Sequence, residues 1–290
     1  MVAGQLMNAP LIGVVGSTAT GKSQLALKLA QSLNGEIVSA DSWLVRRGVD
    51  IGSAKPSLIM QSKVPHHLID IIDPGQDFTA AEYKKLAKKA IADIQSRGKL
   101  PILVGGTGLY IDAVLYDYSF LGAADSKERQ RLNSLTLDEL HSIARSKGLD
   151  LSSIDTRNKR RVIRLIESNG GVATKSSLRP DTLVIGVVSQ PSSLHHQITK
   201  RVESMINQGL EEEVRGLSDK YGWDCEGLKG IGYSEWRLYF NDHQSLETTK
   251  ERIIKDTVAL AKRQGTWFKR NKSIHWLDNP VNWQQVVALV

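Results

Sequence analysis

Two rhythms of apolar residues alternate along the chain. Short unbroken runs at 11–15 (Leu-Ile-Gly-Val-Val), 36–40, 101–104 and 182–188 have the length and composition of buried strands. The stretch from Pro65 to Pro74 carries a further short apolar strand, interrupted by Asp70 and stopped by Asp73-Pro74. Between the runs the spacing turns helical. Leu25, Leu29 and Leu33 share one face of a helix over 24–33. Tyr83, Leu86, Ala90, Ile91 and Ile94 follow a period near 3.6 behind Thr79, with Glu82 three residues on as a capping box, and Gly98 ends that helix. Val202, Met205, Ile206, Leu210, Val214 and Leu217 are spaced for one long helix, and Leu246, Ile253, Ile254, Leu260 and Ala261 for another. From Asp117 to about Asn158 the chain is polar and helical, with only Leu135, Leu137, Leu140 and Ile143 as apolar support. Strands alternating with helices predict an α/β fold, a parallel sheet flanked by helices. The polar stretch predicts a small helical insertion over 117–157, between a first core part at 1–116 and the rest of the core at 158–290.

The candidate chemistry sits at the ends of the strands. Gly16-Ser17-Thr18-Ala19-Thr20-Gly21-Lys22-Ser23 is a complete G-x-x-x-x-G-K-S phosphate loop (P-loop), between a predicted strand and a predicted helix as that motif requires. Its glycines let backbone amides wrap a phosphate, the helix offers its positive end, Lys22 adds a point charge and Ser23 is a candidate Mg²⁺ ligand. The loop says that a di- or triphosphate is held; it does not name the reaction. Asp41-Ser42 follows the second strand, and Gly105-Gly106-Thr107-Gly108 the run at 101–104. In a doubly wound parallel sheet such tips lie along one edge, where ligands bind. Taken alone, Asp41 is as readily a helix cap and Thr107 a turn residue.

With 290 residues, 41% of them hydrophobic, the chain has enough apolar material for a sizeable core. The net charge of +7 favours a polyanionic partner, and two basic runs locate it better than the total does. Residues 157–164 hold five basic side chains and no acid; residues 262–272 interleave five with Trp267 and Phe268, a pairing suited to phosphates and unstacked bases. The single cysteine, Cys225, excludes an internal disulfide and a cysteine metal cluster and suits a reducing compartment. The first ten residues lack the pattern of a signal peptide and no run is long enough to span a membrane, so the sequence predicts a cytoplasmic protein.

Laid out in order, these segments resemble the tRNA dimethylallyltransferases, also called tRNA isopentenyltransferases. The resemblance rests on the loop at 16–23, Asp41-Ser42, the segment 50–56 (Asp-Ile-Gly-Ser-Ala-Lys-Pro), the segment 65–70 (Pro-His-His-Leu-Ile-Asp), the segment 104–110, the run 160–164, Gly230-Ile231-Gly232-Tyr233, and Ala261 to Gln264 with Thr266-Trp267-Phe268. It implies transfer of a dimethylallyl group from its diphosphate, with Mg²⁺, to the N6 amine of the adenosine beside the anticodon. By resemblance Asp41 is the base, Thr107 orients the reacting groups, and Arg263 joins the loop on the diphosphate. Also by resemblance, tRNA contacts fall on Asp41, Ser42, Trp43 and Leu44, on Arg160, Arg161, Val162, Ile163 and Arg164, on Lys229, Gly230, Ile231, Gly232 and Tyr233, and on Lys262, Arg263, Gln264, Thr266, Trp267 and Lys269. The insertion is implied to touch the tRNA anticodon stem-loop, and the protein to act as a monomer.

Two positions depart from the family pattern: Arg46 stands where many members have tyrosine, and Val258 where an arginine is common. Three other readings share part of the motif set. Prenyl transfer to free AMP, ADP or ATP, as in cytokinin-forming enzymes, shares the loop and Asp-Ser but does not need two basic runs. A small-molecule kinase leaves Gly-Gly-Thr-Gly-Leu-Tyr unexplained. A non-catalytic RNA-binding protein predicts that Asp41 is dispensable.

Overall fold

The structure is a computed structural model that describes residues 11–122, 125–171 and 173–290. The expectation that residues 1–10 carry no leader lies outside these. Two compact units form: Met1–Tyr116 together with Leu178–Val290, and Asp117–Ser177.

In the first unit, β1 (Leu11–Gly16), α1 (Lys22–Ser32), β2 (Gly35–Ser39), α2 (Leu58–Lys63), β3 (His66–His67), α3 (Ala80–Ser96), β4 (Leu100–Gly105) and α4 (Gly108–Leu115) follow one another. The second unit supplies α5 (Ser126–Ser134), α6 (Leu137–Ser146) and α7 (Lys159–Glu167). The first resumes with β5 (Thr182–Val188), α8 (Pro191–Asn207), α9 (Leu210–Tyr221), α10 (Trp236–Phe240), α11 (Leu246–Lys269), β6 (Ile274–Asp278) and α12 (Trp283–Leu289).

The six strands form one sheet in the order β3-β2-β4-β1-β5-β6, and every pairing is parallel. β1 is buried throughout because it lies between β4 and β5 with apolar layers on both faces. One layer gathers Tyr83, Ala87, Ile91 and Ile94 of α3 with Ile111 and Val114 of α4 and Phe268 of α11; the other gathers Leu25, Ala26 and Leu29 of α1 with Val286 of α12. Tyr83 stacks on Tyr110, with ring centroids 3.8 Å apart, and donates to the Ser39 carbonyl at 2.9 Å, fixing α3 to the end of β2. Thr79 and Glu82 form the expected capping box. Among the described residues no helix is long and apolar enough to cross a membrane.

Several elements differ from the sequence reading. The long helix expected over 202–217 is two, α8 and α9, because Gly209 at φ 97 turns the chain through the left-handed region. The strand expected within 65–74 shrinks to β3, since Leu68 and Asp70 adopt positive φ immediately after it. The helical insertion extends to Ser177 rather than 157: Val162, Ile163 and Ile166 of α7 complete a cluster with Leu132, Leu140 and Ala144, so α7 belongs to the second unit.

At the sheet edge, Glu36 is buried with a side-chain exposure of 2% and accepts from Arg97, Lys99 and His67. Hydrogen bonds from Arg97 hold its carboxyl far below the usual range, against the upward pull of burial. That stabilisation is fully present above the unfolded carboxylate pKa, begins to fall below it, and is lost only as pH drops through the far lower folded pKa. Glu36→Gln is expected to lower the unfolding free energy by about 2 kcal/mol at pH 7. The gap between denaturant titrations of the two proteins should narrow progressively as pH falls below about 4; a gap at about pH 2.5 equal to that at pH 7 would contradict this.

Candidate active site

β1 ends at Gly16, whose φ of 149 and approach to β5 exclude a side chain: a Cβ there would sit 2.4 Å from the Val187 carbonyl oxygen. The loop then runs through Ala19 and Gly21, both left-handed, into α1. Its shape is held internally by the Thr20 hydroxyl, which donates to the Ser17 carbonyl at 2.9 Å. It is also held from α11. The Ser17 hydroxyl donates to the Ala261 carbonyl at 2.8 Å, the Thr18 N–H donates to Gln264 Oε1 at 2.8 Å, and Gln264 Nε2 donates to the Gly106 carbonyl at 3.1 Å. One side-chain amide therefore ties the loop after β1 to the turn after β4. Lys22 Nζ donates to the Ser17 carbonyl at 3.1 Å. Burial pushes the Lys22 ammonium down to about 8, opposed by the Asp41 carboxylate and reinforced by the Arg201 guanidinium.

The expected convergence of strand ends is present. Asp41 follows β2 and accepts the Trp43 N–H at Oδ1, 2.9 Å away. Thr107 precedes α4 but makes no side-chain cap; its Oγ1 instead accepts the Ser42 N–H at 3.1 Å and donates to Ser42 Oγ at 3.3 Å. Asp41 and Ser42 are thus fixed to the turn that Gln264 also grips. Thr18, Lys22, Ser23, Asp41, Trp43, Leu44 and Gln264 line one cavity of about 650 Å³, together with Lys229, Gly230, Ile231, Gly232 and Tyr233. Trp43 stacks on Tyr233 at 6.2 Å between centroids, and Glu235 Oε2 accepts the Gly232 N–H at 2.9 Å beneath them.

The cavity also contains an arginine that the sequence reading passes over. Arg201 on α8 lines it, and burial pulls its guanidinium below the usual arginine value, opposed by the Asp41 carboxylate. A signal was available: Ile198, Val202 and Met205 form the buried stripe of α8, and a charge set within such a stripe is unusual. Arg263, expected on the diphosphate, is exposed on α11 and is not among the cavity residues. Lys262, Thr266 and Lys269 are exposed as well, and Trp267 packs against Gly108.

In the second unit, Arg160 and Arg161 are exposed, whereas Arg164 donates to the Leu121 and Gly122 carbonyls. Val162 and Ile163 are buried at 0% and 2% exposure, so the expectation that they contact RNA is corrected: their side chains form that unit's core. Arg46 is buried and donates to the Pro74 and Gln76 carbonyls, both at 2.8 Å, which makes it a brace for the 74–76 turn. Val258 packs with the cluster of α8, α9 and α11.

Ser23 lines this cavity and a second one of about 340 Å³, beside Lys22 and Arg201. Among the described residues no group of three His, Cys, Asp or Glu side chains could hold a metal by itself. A hard cation that keeps most of its waters and shares phosphate oxygens needs only one or two protein ligands, and a serine hydroxyl at a loop lined by Lys22 and Arg201 fits that donor set.

Binding a polyanion returns Lys22 to its charged form, so the contribution of Lys22 to affinity is full below pH 8 and shrinks above it. The ratio of inorganic diphosphate affinities, wild type over Lys22→Ala, is expected to fall between pH 7.5 and 9.5 in calorimetric titrations; a constant ratio would contradict the depressed pKa. Gln264→Ala leaves the Thr18 N–H without its acceptor and is expected to weaken diphosphate binding roughly tenfold at pH 7.5.

Residues 44–271 match the family described as IPP transferase. A tRNA dimethylallyltransferase from Anoxybacillus flavithermus is 39% identical over 283 residues, covering 94% of this chain and 91% of the relative. One from a Roseiflexus species is 42% identical over 275 residues, covering 90% of each. Among solved structures, a tRNA isopentenylpyrophosphate transferase from Bacillus halodurans superposes with a TM-score of 0.74 at 35% identity, covering 96% of this chain and 93% of that one. A eukaryotic dimethylallyltransferase acting on tRNA superposes with a TM-score of 0.81 at 26% identity, covering 97% and 76%. Matched over residues 44–271 and about 40% identical to these relatives across most of its length, the chain belongs to the IPP transferase family.

Proposed function

We propose that the chain is a tRNA dimethylallyltransferase that moves the dimethylallyl group from dimethylallyl diphosphate to the N6 amine of the adenosine 3′ to the anticodon. The observation that carries this reading is the cavity shared by a phosphate loop, Asp41 and the Trp43–Tyr233 wall. The loop amides, Lys22 and Arg201 bind the diphosphate. Ser23 would hold Mg²⁺, which when bound would supply further charge neutralisation for the leaving group.

The adenine amine is a weak nucleophile because its lone pair is delocalised into the ring. Its attack on C1 of the donor forms the N6–C1 bond while the C1–O bond breaks, and the electron pair leaves with the diphosphate. Asp41 takes the proton that N6 sheds. Thr107 acts through Ser42, tying the base at the β2 tip to the loop-bracing turn after β4. Charge growing on the leaving oxygen is stabilised by groups already in position, the arrangement in which electrostatic catalysis is most effective. The target base leaves its anticodon loop to reach the cavity, and the exposed cations Lys262, Arg263 and Lys269 of α11 favour the flanking phosphates.

Label from dimethylallyl diphosphate is expected in an unmodified tRNA transcript with adenosine beside the anticodon and not in AMP, ADP or ATP. Label in free nucleotide would move the function to cytokinin-type synthesis, and label in none would reject prenyl transfer. Arg201→Ala is expected to raise KM for the donor at least tenfold while leaving KM for tRNA within about twofold; equal effects on both would place Arg201 outside the donor site.

A further inference from the structure

Glu213 lies on α9, more than 150 residues from the loop it touches and outside the cavity wall. Four donors converge on its carboxylate. Oε2 accepts the Ile51 N–H at 2.7 Å and the Asp50 N–H at 3.2 Å; Oε1 accepts the Gly52 N–H at 3.2 Å and the Tyr233 hydroxyl at 2.7 Å. Three successive amides gathered on one carboxylate close the chain at 50–52 into an anion-binding turn. That turn is continued by the Ser53 hydroxyl donating to the Val49 carbonyl at 2.6 Å and by Lys55, which pairs with Asp50 and Asp70.

Both groups that Glu213 holds are cavity wall. Tyr233 is buried and stacks on Trp43, beside Asp41, and burial together with the Glu213 carboxylate pushes its phenol up, so it remains a hydrogen-bond donor. Gly52, Ser53, Ala54 and Lys55 line the cavity directly, and the Ser53 carbonyl accepts from Arg201 Nη2 at 3.4 Å. One carboxylate thus sets the aromatic wall on one side and the backbone behind the cavity arginine on the other.

We propose that Glu213 is a positioning residue for the acceptor: it holds Tyr233, and through it Trp43, at the angle that admits the target adenine, and it fixes the 50–55 turn that completes the same wall. This rests on the proposed transfer to RNA. Tyr233 is held directly, at 2.7 Å, whereas Arg201 is reached only through the 50–52 turn and a 3.4 Å contact to the Ser53 carbonyl, so the acceptor feels the loss of the carboxylate more than the donor does.

The test compares wild type, Glu213→Gln, Tyr233→Phe and the double variant. The amide that replaces the carboxylate in Glu213→Gln has one acceptor oxygen for four donors, so the wall loosens without a change in volume. KM for tRNA is expected to rise about tenfold in Glu213→Gln, with KM for dimethylallyl diphosphate and kcat at saturating tRNA within about threefold. Affinity for an anticodon stem-loop RNA, read by fluorescence anisotropy without turnover, should fall by the same factor. Tyr233→Phe should fall part of the way, and the double variant should be no worse than Glu213→Gln, because both changes remove one linkage. A loss shared equally by kcat and both KM values, following a lowered melting temperature, would assign Glu213 to folding alone and overturn the proposal. So would an unchanged KM for tRNA. Failure of the underlying reading is a separate outcome: wild type itself would put no label into RNA.

Discussion

The Gln264 side chain is the tie on which the site depends. Its carbonyl takes the Thr18 N–H and its amide reaches the Gly106 carbonyl, so the loop after β1 and the turn after β4 share one bracket. A phosphate loop works only if its amides point inward at fixed spacing, and glycine-rich backbone does not hold such a shape unaided. Here the restraint comes from α11, which also presents exposed cations within a turn or two of the bracket. The Ser17 hydroxyl on the Ala261 carbonyl adds a second point of attachment to the same helix.

From that bracket the rest of the geometry follows. The turn after β4 carries Thr107, whose hydroxyl receives the Ser42 N–H, and Asp41 is the adjacent residue. The loop at 16–23, the proposed leaving-group site, and Asp41, the proposed base, are therefore set by the tips of parallel strands that are direct neighbours in the order β2-β4-β1. Beneath them, Tyr83 on the Ser39 carbonyl and the apolar layers on both faces make the edge rigid. Chemistry that needs a donor, a base and an acceptor in line benefits from rigid strand ends more than from mobile loops.

Local features are legible in the sequence, and distant ones are not. The phosphate loop declares itself because eight consecutive residues and both flanks agree, and the strands that bear Asp41 and Thr107 are unbroken apolar runs. The bond between Thr107 and Ser42 spans 65 positions and that between Gln264 and Thr18 spans 246, so neither leaves a trace in spacing. The sequence reading therefore sets Gln264 among the RNA contacts, when its amide faces the loop. It passes over Arg201, although a place in the buried stripe of α8 marks that residue, and prefers Arg263, which stands in a basic run that the structure leaves in solvent. β6 escapes notice because only Ile274 and Leu277 of its five residues are buried. The basic run at 157–164 conceals a division of labour between apolar side chains that build a core and arginines that do not.

In the proposed reaction Asp41 performs the proton transfer, and the binding of donor and acceptor does not depend on it. The most direct measurement is the single-turnover rate of N6 prenylation by Asp41→Asn, at donor and anticodon stem-loop concentrations shown by direct binding to saturate the variant. The expected rate is at least about a hundredfold below wild type, with both dissociation constants within about threefold of the wild-type values. A rate close to wild type in the saturated complex would contradict this role, and the base would have to be sought elsewhere in the cavity.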